Sequence, residues 1–265
     1  MLDELTLARI RNVRCFLLDM DGTFYLGNDL IDGSLEFLDA LKRTGRQALF
    51  LTNNYSKSAA VYLEKLRSMG VQEPFLRVYT SGQAAGRYVL DKLPGKRGFL
   101  LGNEMLREEL LDMGLEFDHA APDYVLAGFD TTLDYEKMTR VCDLVRAGLP
   151  YIATHPDFNC PTETGFIPDL GAIMAFIEVS TGRKADVVIG KPHRGIVDGA
   201  LSIVKCAASE CAMVGDRLYT DIATGINFGM TSVLVLSGEA TLEDAEMSPV
   251  KPHLTFGRLS DMIPY

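Results

Sequence analysis

The sequence predicts an α/β fold: a mainly parallel sheet flanked by helices, interrupted by a second, inserted α/β module. Two observations predict it. Short apolar runs of strand character alternate with apolar residues at helical spacing along nearly the whole chain, the pattern of βα units. The alternation also breaks at Thr80-Ser81-Gly82 and Leu93-Pro94-Gly95 and then starts afresh, so one core (residues 1–80 plus 186–265) is split by a module over residues 81–185.

The elements follow in order. Cys15 to Leu18 reads as a buried strand that stops on Asp19-Met20-Asp21-Gly22-Thr23. Ser34 to Lys42 carries Leu35, Leu38 and Leu41 at helical spacing, with Gly45 as the stop. A compact strand, Ala48 to Leu51, ends in Thr52-Asn53-Asn54, and Ser56 caps a helix holding Val61, Leu63 and Leu66 and closing near Gly70. Within the insert, strands fall near Gly98–Leu101, Tyr124–Ala127 and Tyr151–Ala153, and helices near Glu104–Met113 and Tyr135–Arg146. Residues 154–171, with Pro156, Pro161 and Pro168, are expected to be loop before a helix running to Thr181. A strand over Asp186–Ile189 leads into Gly190-Lys191-Pro192, then Ala212–Val214, a helix from Leu218, and Ser232–Leu236 close the pattern.

Composition narrows the function. With 265 residues, 47% hydrophobic and 23% charged, the chain has ample core for independent folding. Its formal charge of −10, with no basic block, argues against a nucleic acid polymer or an anionic membrane as partner. No apolar run approaches the roughly 18–20 residues of a membrane span. Met1 to Asn12 lacks an apolar signal core, so a cytoplasmic protein is expected. The five cysteines (Cys15, Cys142, Cys160, Cys206, Cys211) are odd in number and contain no C-x-x-C pair, which reads as free thiols in a reducing compartment. His119, His193 and His253 share no zinc-ligand spacing.

The chemistry is concentrated at strand ends. Asp19 and Asp21, two residues apart on a continuing strand, would share one face, and carboxylates that close call for a cation or a shared proton. The other strands end at Thr52-Asn53, before Lys191, and at Gly215-Asp216 with Asp221 following. Parallel strands gather such ends along one rim, where open α/β sheets place their ligands. Acids, one lysine, one hydroxyl and a turn rich in N–H groups suit phosphoryl transfer. Mg²⁺ wants oxygen ligands and takes one or two carboxylates, with Asp19 and Asp216 the natural pair. A carboxylate can serve as nucleophile, Asp21 can shuttle a proton, and Lys191 and Thr52 can neutralise and orient the phosphoryl oxygens.

These stretches resemble the haloacid dehalogenase (HAD) superfamily, and specifically its NagD-like subfamily with a type IIA cap. Asp19-Met20-Asp21-Gly22-Thr23 is similar to the first motif, Leu51-Thr52-Asn53-Asn54 to the second, Gly190-Lys191-Pro192 to the third, and Gly215-Asp216-Arg217-Leu218-Tyr219-Thr220-Asp221 to the fourth. The resemblance spans nearly the whole chain and implies a Rossmann-like core with an inserted α/β cap. It implies Asp19 as nucleophile, Asp21 as general acid/base, and Thr52, the Asn53 backbone and Lys191 as phosphate-binding groups. It implies a Mg²⁺ site of Asp19, Asp216, the Asp21 main-chain carbonyl, and Asp221 acting through water or as support. A homodimer formed through the cap is a further implication. In the cap, Ala153-Thr154-His155-Pro156-Asp157 departs from the family's A-T-N-P-D stretch by a histidine at the third position. That makes His155 and Asp157 the candidate specificity residues, ahead of a substrate-facing loop over residues 158–169.

The leading expectation is a Mg²⁺-dependent phosphatase acting on small phosphorylated metabolites (nucleoside monophosphates, sugar phosphates or phosphoglycolate-like acids) through an aspartyl-phosphate, with a cap that closes to exclude water. A dehalogenase would need neither Asp21 as acid nor Asp216 as metal ligand. A phosphotransferase or phosphomutase would keep the same core, and a catalytically idle binding protein would be expected to have lost one of Asp19, Asp21, Lys191 or Asp216.

Overall fold

The computed structural model describes residues 4–53, 58–162 and 165–263; Asn54 of the second motif and the expected cap Ser56 lie outside them. The chain divides into two compact units, one of residues 1–52, 62–79 and 197–265, the other of residues 53–61 and 80–196.

The first unit is built on a six-stranded sheet in the order Leu254–Phe256, Thr231–Val235, Cys211–Gly215, Cys15–Leu18, Gln47–Thr52, Val78–Thr80. Cys15–Leu18 lies near the middle, paired in parallel with Cys211–Gly215 on one side and Gln47–Thr52 on the other. A parallel strand covered on both faces reads as an unbroken apolar run, and all four residues Cys15 to Leu18 are buried. Phe16 and Phe24 anchor one core layer through edge-on contacts with Phe37 (5.3 Å) and Phe50 (4.8 Å). Burying each such ring contributes about 1.5–3 kcal/mol, which fixes the strand ends from which the acids project.

The second unit holds a five-stranded sheet in the order Val187–Val188, Tyr151–Ala153, Tyr124–Ala127, Arg97–Leu101, Glu116–Phe117, again paired in parallel. Its core joins Phe99, Leu101, Val125, Tyr151 and Ala153 to the helices Tyr135–Arg146 and Leu170–Thr181. Among the described residues, no helix is long and apolar enough to cross a membrane.

Several features differ from what the sequence predicts. Thr80-Ser81-Gly82 is no break but a helix start: Thr80 caps Ser81–Lys92 in a capping box with Gln83. The strand before Lys191 joins the five-stranded sheet, with Val187 beside Ile152 and Val188 beside Ala153, and is not part of the six-stranded one. Residues 154–171 contain an antiparallel hairpin, Asn159–Thr162 with Gly165–Pro168. In the fourth motif the helix from Leu218 opens with a π-helical turn, Leu218–Ile222, before the α-helix Ala223–Asn227.

Candidate active site

In the first unit, the two central neighbours of the six-stranded sheet both end in acids. Asp19 follows Leu18 directly, and its N–H donates to the Val214 carbonyl at 2.9 Å, so the sheet ladder itself sets its place. Asp216 follows Gly215, the last residue of the adjacent strand. The π-turn then brings Asp221 back: its N–H donates to the Arg217 carbonyl at 3.0 Å, and its Oδ2 accepts from the Arg217 N–H at 3.1 Å. Asp19, Asp216 and Asp221 each offer a carboxylate oxygen within 4.8 Å of the others. The strand ends at Leu18, and Asp21 lies beyond it in a bridge with Tyr25, so the Asp19–Asp21 spacing is set by a turn rather than by a continuing strand. The carboxyl group of Asp21 is not one of the three that converge.

Asp216 and Asp221 are buried, and Asp19 is partly so. Burial, and then the charge of Asp221, push the Asp216 carboxyl up to about 6, against the opposing pull of the Glu239 N–H and Arg217. The Glu239 N–H donates to Asp216 Oδ2 at 2.7 Å, and the Thr23 hydroxyl to Oδ1 at 3.4 Å. Glycines make room for these acids. A methyl at Gly22 or Gly238 would overlap Asp216, and one at Gly215 would overlap Asp221. Gly22 also sits at φ +84°, where a side chain strains the backbone, and its carbonyl accepts from Ser237 Oγ at 2.8 Å. Arg217 pairs with Glu239 at 2.9 Å. Three converging carboxylates, two of them buried, form a hard oxygen donor set of the kind that holds a divalent cation.

The second unit organises another group of the expected residues. The Asn53 side chain grips the main chain of Lys191: Oδ1 accepts its N–H at 2.7 Å, and Nδ2 donates to its carbonyl at 2.9 Å. Nδ2 also donates to Asp157 Oδ1 at 3.1 Å, which ties the loop after Tyr151–Ala153 to the same point. Ser81 Oγ holds the Asn53 carbonyl at 2.8 Å. Gly190 leaves space for this clamp, since a methyl there would meet Asn53 Oδ1 at 2.5 Å and the Thr154 carbonyl at 2.8 Å.

His155 is fully buried, with Nδ1 against Thr154 Oγ1 and Nε2 against Asp169 Oδ1, both at 2.9 Å. An acceptor carboxylate at Nε2 assigns the ring proton there, leaving Nδ1 to accept from the threonine. Asp169 Oδ1 also accepts the Leu170 N–H at 2.6 Å and so caps the helix Leu170–Thr181. The sequence reading gave Asn53 only a backbone role and missed its side chain. The signal available was an amide two residues past a strand, a residue type able to donate and accept at once.

Comparison with known proteins places these residues in context. Residues 16–116 match a family model described as haloacid dehalogenase-like hydrolase, and residues 188–262 match one described as HAD-hydrolase-like. The chain is 39% identical over 257 residues to the acid sugar phosphatase of Staphylococcus aureus (strain MRSA252), covering 96% of this chain and 98% of that protein. Among solved structures it is similar to a 4-nitrophenylphosphatase from Thermotoga maritima, with TM-score 0.94, 46% identity and coverage of 97% and 98%. It is also similar to NagD from E. coli K-12, with TM-score 0.86, 30% identity and coverage of 94% and 98%.

Proposed function

Since this chain belongs to the haloacid dehalogenase-like hydrolases, in their NagD-like branch, and is a phosphoric monoester hydrolase, we propose that it is a Mg²⁺-dependent phosphatase of small phosphorylated metabolites that works through an aspartyl-phosphate. The observation that carries this reading is the convergence of Asp19, Asp216 and Asp221 at the carboxyl ends of two adjacent parallel strands. Sugar phosphates lead the substrate classes because the similar S. aureus protein is named an acid sugar phosphatase.

Asp19, Asp216 and Asp221, with the Asp21 carbonyl, would hold the cation, which when bound offsets their charge and that of the phosphate. Asp19 attacks phosphorus as the bond to the leaving alkoxide breaks, and Asp21 gives that alkoxide its proton. Asp21, now a carboxylate, takes a proton from water, which attacks the phosphorus of the aspartyl-phosphate and frees Asp19 and phosphate. Thr52 and the Asn53 N–H orient the phosphoryl oxygens, and Lys191 supplies positive charge to them. The inserted module of residues 81–185 selects the leaving group. His155 and Asp157 act there by fixing loop shape, in keeping with the hydrogen bonds both make inside their own unit.

The test is phosphate release from an aryl phosphate and a sugar-phosphate panel, with and without Mg²⁺, for the wild type and Asp19→Asn. Turnover that needs Mg²⁺ and vanishes in Asp19→Asn is expected. Substantial residual activity in that variant would sink the nucleophile assignment. Transfer of the phosphoryl group to an added sugar in preference to water would move the reaction to a phosphotransferase.

A further inference from the structure

The chain that leaves Asp21 folds at once into a short hairpin, Tyr25–Leu26 paired antiparallel with Asp29–Leu30. Two residues a side cannot hold a hairpin by themselves, since even a longer isolated one is marginal in water. Its base is tied to the turn that carries Asp21. The Gly22 N–H donates to the Tyr25 carbonyl at 2.8 Å, and Asp21 itself forms the bridge with Tyr25. The N–H groups of Phe24 and Tyr25 donate to the Met20 carbonyl at 2.8 and 3.2 Å. The tip, Leu26 to Asn28, is exposed, and a side chain from another element reaches it. Lys65, in the helix Ala59–Ser68, donates from Nζ to the Gly27 carbonyl at 2.6 Å and sits 3.6 Å from the centroid of the Tyr25 ring. Tyr62 and Leu66, one turn apart on that helix, are buried in the same core as Tyr25, so the lysine is presented from a packed support.

We propose that Lys65 is a positioning residue for Asp21, acting through Tyr25; this rests on Asp21 as the proton donor of the reaction proposed above. Tyr25 is the joint. Its backbone bonds to the turn that carries Asp21, while its ring and the nearby Gly27 carbonyl receive the lysine. Both contacts suit an ammonium, which donates strongly to a carbonyl and is attracted by the face of an aromatic ring. A proton donor must come within about 2.6–3.2 Å of the leaving oxygen, and a misplacement of about 1 Å can cost about 100-fold in rate. A latch on the hairpin therefore bears on the rate although it touches no reacting atom.

The converging acids are placed by other means. The Asp19 N–H donates to the Val214 carbonyl in the sheet ladder, and Asp216 accepts from the Glu239 N–H. Loss of the lysine should therefore weaken proton donation and leave the nucleophile where it is. The leaving group reports that difference. 4-Nitrophenolate departs with little need of a proton, whereas the more basic phenolate departs with help from the acid. A lysine that merely braced the fold would slow both esters alike.

The experiment measures kcat/KM for 4-nitrophenyl phosphate and phenyl phosphate at saturating Mg²⁺, so that weakened cation binding does not enter. The proteins are the wild type, Asp21→Asn, Lys65→Met, which keeps the stem and removes the charge, and Lys65→Arg. Lys65→Ala takes the place of the methionine variant if that one folds poorly. Asp21→Asn should lose far more on phenyl phosphate than on the nitro ester. Lys65→Met should show the same selectivity in smaller measure, about 10-fold against under about 2-fold, a fraction of the roughly 10²–10⁴-fold that general acid catalysis supplies. Lys65→Arg, still a donor and a cation over the ring, should recover most of the loss. Hydrogen exchange at the Gly22 amide should quicken in Lys65→Met and not in Lys65→Arg. Selective loss in Asp21→Asn beside equal or no loss in Lys65→Met would overturn the proposal alone. No selectivity in Asp21→Asn, total loss on both esters included, would overturn the acid assignment and the proposal with it.

Discussion

Gly238 lies so close to Asp216 that its missing side chain is part of the acid site: a β-carbon there would coincide with the Asp216 carboxylate. The next N–H, that of Glu239, donates to the same carboxylate oxygen at 2.7 Å. Gly238→Ala should therefore push Asp216 away from Asp19 and Asp221 while leaving every donor atom in the chain. The expected outcome is a loss of about 10- to 100-fold in divalent-cation affinity, the usual effect of disturbing groups behind metal ligands. Mg²⁺ titration by calorimetry checks it; wild-type affinity in a folded variant would refute the tight-fit reading.

Asn53 should tolerate no acid. In Asn53→Asp the oxygen that accepts the Lys191 N–H survives, but the donor to the Lys191 carbonyl is lost, and a second carboxylate faces Asp157. An unmet buried acceptor costs about 1–3 kcal/mol, and like charges add to it. Asp157→Asn in the same background restores an amide donor opposite residue 53 and should recover part of the loss. A double-mutant cycle in urea measures the coupling; strict additivity would count against the contact.

Glu109 offers a pH test away from the acids. Its Oε1 accepts from the Ala59 N–H at 3.3 Å and Gln83 Nε2 at 3.0 Å, while Oε2 is buried with no hydrogen-bond partner among the described residues. Burial pushes its carboxyl from 4.5 up to about 6. A raised carboxyl binds its proton more tightly when folded, so this group's contribution to stability is greatest below 4.5 and falls as pH rises through 6. Glu109→Gln keeps the acceptor and removes the charge. It should be more stable than wild type by about 1–2 kcal/mol near pH 8 and gain nothing near pH 4.5, as judged by urea midpoints.

Much of this was legible in the chain itself. A four-residue apolar run ending in two acids and a glycine reads as a buried strand that stops on a polar rim, and Cys15–Leu18 is that strand, although of its two acids only Asp19 joins the converging carboxylates. Which sheet a strand joins was less legible. Val187–Val188 looks locally like any parallel strand, and only its partner Tyr151–Ala153 assigns it to the second unit. The hairpin at Asn159–Thr162 escaped notice because Pro161 and Pro168 sit within its strands, and proline is ordinarily a sign against strand. The helix after Thr80 was obscured by Ser81-Gly82, although Thr80 and Gln83 spell a capping box. The Asn53 clamp was out of reach, because it joins residues 138 apart in sequence.

The Asn53 clamp holds residue 191 by its main-chain N–H and carbonyl. Address and cargo are thus written in different atoms at this position. A side chain of another chemistry, such as methionine, would leave both of those main-chain hydrogen bonds available. Residue 191 is a socket, and what is plugged into it can be varied to measure what a positive charge is worth there.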